Sequence, residues 1–108
     1  MLYELRVYDA LPGQLPRLLR RFEQQTLGIW ERLGISPIAF WTTLIGGSNN
    51  RLTYVLQWIS LAEREEKWSS FQRDPEWRRV RDESERDGQI VARIRNQILA
   101  PTSFSQLQ

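Results

Sequence analysis

Two segments flanking Gly46-Gly-Ser-Asn-Asn50 constrain the fold of this chain more than any other feature. Pro37 to Ile45 and Arg51 to Ile59 are rich in β-branched and aromatic residues and read as strands joined by a hairpin loop. A strand with one wet face keeps its apolar side chains on one parity. The first segment carries Ile38, Phe40 and Leu44 on one parity and Ala39, Trp41 and Ile45 on the other. The second carries Leu52, Tyr54, Leu56 and Trp58 on one and Val55 and Ile59 on the other. Both faces call for burial, so the sheet needs cover on both sides.

The rest of the chain supplies cover for one side only. Leu2 to Tyr8 alternates as a strand, with Tyr3, Leu5 and Val7 pointing one way and Glu4, Arg6 and Tyr8 the other. Polarity assigns Leu5 and Val7 to the helix side and Glu4, Arg6 and Tyr8 to the opposite face. Pro12-Gly13 ends this strand, and a helix is expected from Gln14 to Leu33, with Pro16 in its first turn and Gly34 as its left-handed stop. Ser60-Leu-Ala-Glu63 has the capping-box pattern. The helix it opens breaks at Asp74-Pro75, which restarts a second helical segment that stops near Gly88. A last strand covers Val91 to Leu99, and Pro101 ends it before a tail over residues 101–108.

The expected order is β-α-β-β-α-β, a ferredoxin-like α+β domain over residues 1–108 with a four-stranded antiparallel sheet and helices on one face. The second apolar face is larger than a monomer usually exposes. A second copy packed sheet against sheet covers it most simply, so the expected partner is the chain itself, as a homodimer.

Composition narrows the chemistry. The chain has no cysteine and no histidine, which removes thiolate catalysis, the commonest general base and the commonest zinc ligand. No clustered ligands suggest a metal, no glycine-rich phosphate loop follows a strand, and no cofactor is expected. Fifteen basic residues stand against thirteen acidic ones. The Arg78-Arg79-Val-Arg81 run is interleaved with acids, and Arg51-Leu-Thr-Tyr-Val-Leu-Gln-Trp58 lacks the RNP pattern of RNA-binding sheets, so nucleic acid is not an expected partner. The apolar runs are too short to span a membrane. Met1 leads straight into an alternating strand, which sets the expected location as cytoplasmic.

Two sets of residues are candidates for ligand binding. Glu4, Arg6 and Tyr8 share one strand face; Arg6 suits an anionic or carbonyl group, Glu4 can orient it, and Tyr8 can donate to a ligand oxygen. The competing reading is an ion pair that bridges two protomers and fixes their register. Trp41, Tyr54 and Trp58 would line a pocket for a planar apolar ligand, or simply fill the core or interface. Trp30, Trp68 and Trp77 sit at helical spacing and read as helix-to-sheet core.

End to end, the chain resembles the NIPSNAP family of the dimeric α/β-barrel superfamily. The features that carry the resemblance are Glu4-Leu-Arg6-Val-Tyr8 followed by Pro12-Gly13, Trp41-Thr-Thr43 leading to Ile45-Gly46, Trp58-Ile-Ser60-Leu with Glu63-Arg64, Asp74-Pro-Glu-Trp77, and Ile98-Leu-Ala-Pro101 with Phe104-Ser105. The resemblance implies two protomers whose sheets face each other to close a barrel. It implies no particular reaction. The chain departs from the family in having Leu44 where an acid is frequent and Tyr54 where a histidine is frequent. The expectation is therefore a homodimer that binds a small apolar or anionic molecule in the barrel interior. The alternative is a cofactor-free monooxygenase or isomerase of the same superfamily.

Overall fold

The alternating segments form four strands in the computed structural model, which describes residues 1–108. These are β1 (Leu2–Ala10), β2 (Ser36–Thr42), β3 (Arg51–Trp58) and β4 (Val91–Leu99). They make one antiparallel sheet in the order β2-β3-β1-β4. β1 is one of the two inner strands and ties the two ends of the chain together, pairing Arg6 with Tyr54 of β3 on one side and Asn96 of β4 on the other.

Between β1 and β2 runs a helical rod made of α1 (Leu15–Arg21), a π-helical turn (Phe22–Thr26) and α2 (Leu27–Leu33). The expected Gln14–Leu33 helix is thus continuous but locally underwound by one wide turn, a feature that step-of-three-and-four counting does not register. Gly34 ends the rod at φ 78°, the left-handed geometry that the stop requires. α3 (Leu61–Arg73) opens with Ser60 accepting from the Glu63 amide at 3.1 Å, while the Glu63 carboxylate takes the Ile59 N–H at 3.0 Å. α4 (Pro75–Ser84) is capped by Asp74, which accepts from the Trp77 amide at 3.0 Å and from Arg32 of α2 at 2.8 Å. Replacing Asp74 with alanine removes this cap and is expected to cost ~1 kcal/mol; a thermal melt against wild type measures it.

β2 is shorter than its expected Pro37–Ile45 span. It ends at Thr42, and Leu44 and Ile45 lie in the loop, 95% and 92% exposed. Apolar composition extended the expected strand, whereas the pairing of β2 with β3 stops at Thr42, opposite Leu52.

The helices cover one face of the sheet, and the parity assigned to β1 from polarity is reversed. Glu4, Arg6 and Tyr8 face the helices and are buried; Leu5 and Val7 point to the uncovered face. Burying a charged strand face is allowed because its counter-charges come from elsewhere in the chain, which one strand's pattern cannot show. β3 sends Leu52, Tyr54, Leu56 and Trp58 to the same covered side. With Leu18, Phe22, Ile29, Trp30, Phe71 and Trp77 they form the core.

On the uncovered face, Leu5 and Val7 of β1 lie beside Val55 and Thr53 of β3, and Ala39 and Trp41 of β2 extend the row. Trp41 is 52% exposed. At one end of this face Asp9 takes Arg51 at 2.8 Å, Arg93 at 3.4 Å and Arg95 at 3.5 Å. At the other end, the Tyr3 hydroxyl donates to the backbone oxygen of Gln108 at 2.7 Å, which folds the tail back onto β1. No helix is long and apolar enough to cross a membrane.

Candidate functional site

The most concentrated chemistry lies between β1 and α3. Glu4 has no exposed surface and accepts five hydrogen bonds. Its Oε1 takes the Trp58 indole N–H at 3.0 Å and Arg64 Nε at 2.8 Å. Its Oε2 takes Arg6 Nη1 at 2.8 Å, Arg64 Nη2 at 3.0 Å and Asn96 Nδ2 at 2.9 Å. Each donor comes from a different element: β1, β3, α3 and β4. Alternation brings Glu4 and Arg6 onto one face, register brings Trp58 and Asn96 alongside, and the Ser60 cap fixes where Arg64 descends from α3.

Arg6 is equally committed. Nε donates to the Tyr54 hydroxyl at 2.9 Å, Nη1 to Glu4, and Nη2 to the Tyr8 hydroxyl at 3.3 Å, while the guanidinium lies 4.4 Å from the centre of the Trp68 ring. Tyr54 donates its own proton to Tyr8 at 2.8 Å.

These contacts set the charge states. Burial alone would raise the Glu4 pKa, but hydrogen bonds from Arg64, Asn96 and Arg6 outweigh it and hold the carboxyl at about 2. Burial also works against the Arg6 charge, and Tyr54, Tyr8 and Glu4 more than restore it, so its pKa rises. Burial is the largest influence on Tyr54 and pushes its phenol well up. At neutral pH the centre holds an ionised Glu4 between two guanidinium groups and a neutral Tyr54.

Five of the six residues singled out in the sequence therefore meet: Glu4, Arg6, Tyr8, Tyr54 and Trp58. Trp41 does not join them, because it stands on the opposite face of the sheet beside Thr53. Their ring and chain atoms fill the space between sheet and helices, and Phe22, Phe40 and Trp30 pack around Tyr54 at 5.1–5.6 Å between ring centres. The set reaches a surface cleft at Tyr8, on the rim of a hollow of about 380 Å³ between α4 and β4.

Sequence reasoning missed Arg64, Asn96 and Trp68, whose roles depend on register and helix placement. It also missed Arg21, for which a signal existed. Arg21 sits three residues after Leu18 and beside Phe22 on the apolar stripe of α1, and is 8% exposed.

An ion-centred ferredoxin-like domain with one covered and one uncovered sheet face is the class these observations define. The NIPSNAP family pattern matches residues 3–106, and the chain belongs to that family. Solved structures of similar proteins agree with it in fold. Protein Atu4242 from Agrobacterium tumefaciens is 28% identical, covering 100% of both chains with a TM-score of 0.86. An uncharacterised NIPSNAP-like domain protein from Burkholderia xenovorans is 25% identical over 96% of this chain and 87% of that one, at 0.84. A candidate antibiotic biosynthesis monooxygenase from Chloroflexus aurantiacus is 12% identical, covers 100% of both chains and scores 0.56, a likeness of fold alone. No curated protein sequence matches the chain.

Proposed function

We propose that the chain works as a homodimer, joined through its uncovered sheet faces, that holds a small apolar or anionic molecule between the two sheets. The observation that carries this reading is the composition of that face. Leu5, Val7, Val55, Ala39 and Trp41 form an apolar field on the side that no helix covers. The reversed parity of β1 strengthens the case, because it adds Leu5 and Val7 to this field.

The ligand part rests on a hollow of about 390 Å³ on the same face, lined by Leu5, Val7, Thr53, Arg51 and Arg95. Leu5 and Val7 beside a mostly polar lining, with the Arg51 and Arg95 guanidinium groups that Asp9 also engages, suit a small anion with a short apolar body. The Glu4–Arg6 centre then serves as the clamp that ties α3, β3 and β4 to β1 and holds the sheet's shape.

Enzyme chemistry of the cofactor-free kind is less well served. Glu4 is held ionised down to about pH 2 and the Tyr54 phenol is pushed up, so neither exchanges a proton near neutrality. Native mass spectrometry of gently purified protein tests the ligand half. The expected result is a dimer mass with a retained small molecule that Arg95→Met releases. A dimer carrying no added mass, and unresponsive to carboxylates and apolar dyes in thermal-shift assays, would rule it out.

A further inference from the structure

Arg6 and Arg21 are buried to the same degree, 7% and 8% exposed, yet only Arg6 is paired. A guanidinium removed from water is costly unless its charge and its donors are met. Arg21 donates Nη1 to the neutral Ser84 hydroxyl at 3.1 Å and lies 5.2 Å from the centre of the Trp77 ring. Its Nε is buried with no acceptor, and none of the ion pairs of the fold includes it. Burial accordingly presses its pKa down, with only partial support from Glu85. Glu85 makes no ion pair with Arg21, and its carboxylate lies 3.5 Å from the Ile90 N–H, at the long limit of a hydrogen bond.

Arg21 lines the hollow of about 380 Å³ between α4 and β4, a volume ordinary for small-molecule sites. Arg81 stands in the same hollow as a second cation, 3.6 Å from the Asp82 carboxylate; Glu85 lines it as an acid, and Trp77, Tyr8, Val91 and Ile94 form its aromatic and aliphatic wall. Ile94 is 48% exposed, because the helices leave the β4 edge of the covered face partly open. An unmet buried cation beside an apolar wall open to solvent is half of an amphipathic binding site.

We propose that this cleft binds a small carboxylate with an apolar body, its carboxylate on Arg21 and Arg81 and its body against Trp77, Tyr8 and Ile94. A planar carboxylate matches the flat, fixed donor array of a guanidinium better than a compact ion does. The apolar wall gives the remainder of the molecule somewhere dry to lie. This site is on the opposite side of the sheet from the hollow between protomers, so it stands or falls separately from the dimer-interior reading.

Titration of the 15N-labelled wild-type protein, followed at the Arg21 Nε–Hε and Trp77 indole resonances, tests it without any substitution. Phenylacetate and octanoate are expected to shift both signals to saturation, with phenylacetamide and acetate binding at least about tenfold more weakly. Arg81→Met, at a partly exposed position, is expected to weaken phenylacetate about tenfold or more in a folded protein, and Arg21→Met to abolish saturation if it folds. Glu85→Gln removes the like charge and should tighten binding several-fold. Three results would overturn the proposal. The first is an amide that binds as well as the carboxylate. The second is a set of saturable shifts on Val7 and Arg95 instead, which would place the ligand between the sheets. The third is a Glu85→Gln variant with a lower melting temperature and no tighter binding, which would make Glu85 the counter-ion of Arg21.

Discussion

Replacing Glu4 with glutamine is expected to cost about 3–5 kcal/mol, because it leaves two guanidinium groups facing a neutral amide inside the fold. Gln keeps the volume and one acceptor, so the loss is of charge rather than of packing. Arg64 can turn toward solvent, being partly exposed, whereas Arg6 cannot, and its stranded charge accounts for most of the effect. The same carboxylate governs the acid limb of stability. Its pKa in the fold, about 2, lies below the ordinary 4.5, so the stabilisation is fully present above pH 4.5 and drains away as the pH falls toward 2. The depression corresponds to roughly 3 kcal/mol, which partial screening through Arg64 trims to roughly 2 kcal/mol. Urea unfolding of wild type should therefore weaken steeply between those pH values, and unfolding of Glu4→Gln should be flatter there. An equally steep acid limb in the variant would assign it to other carboxylates.

Truncating Trp30 to alanine is the second large effect, expected at about 3–5 kcal/mol. The indole is 1% exposed and packs on Phe22, Tyr54, Trp68 and Phe71 at 5.5–6.2 Å between ring centres. It therefore joins the helical rod to β3 and to α3 at one point. Its indole N–H is buried without a partner, so part of what alanine removes was already unfavourable, and Trp30→Phe should recover much of the loss. Denaturant melts of the two variants separate cavity volume from contacts particular to the indole; equal destabilisation by both would mean that the indole contacts, not the size of the cavity, set the cost.

Particular residues show how far the sequence could be read. The Asp74-Pro75 break and the Ser60–Glu63 box were legible because capping is local: the residues that cap lie within four positions of those they satisfy. The span Val91–Leu99 was legible from alternation and from the Pro101 stop. The direction of β1 was not. From Tyr3 to Tyr8 its odd residues are the more apolar and its even ones the more polar, the pattern of a strand with its odd side in the core, yet the even side is buried. The deciding partners, Arg64 and Asn96, lie 60 and 92 residues away. Trp41 was misplaced for a related reason: its parity is set by the irregular register between Pro37 and Ala39, where one residue slips past β3 and the remainder of β2 changes face. Arg21 was legible and passed over, since a charge on an apolar helical stripe is a signal in itself.

Sedimentation equilibrium of wild type beside Val7→Glu tests the central claim, that the uncovered sheet face is where two copies meet. Wild type is expected to be a dimer at micromolar concentration, through an interface that buries more than ~1,000 Å². Val7 lies on the uncovered face between Thr53 and Arg95, so Val7→Glu should sediment as a monomer with an unchanged far-ultraviolet circular dichroism spectrum. A wild-type protein that stays monomeric at that concentration, or a Val7→Glu variant that dimerises as tightly as wild type, would contradict it.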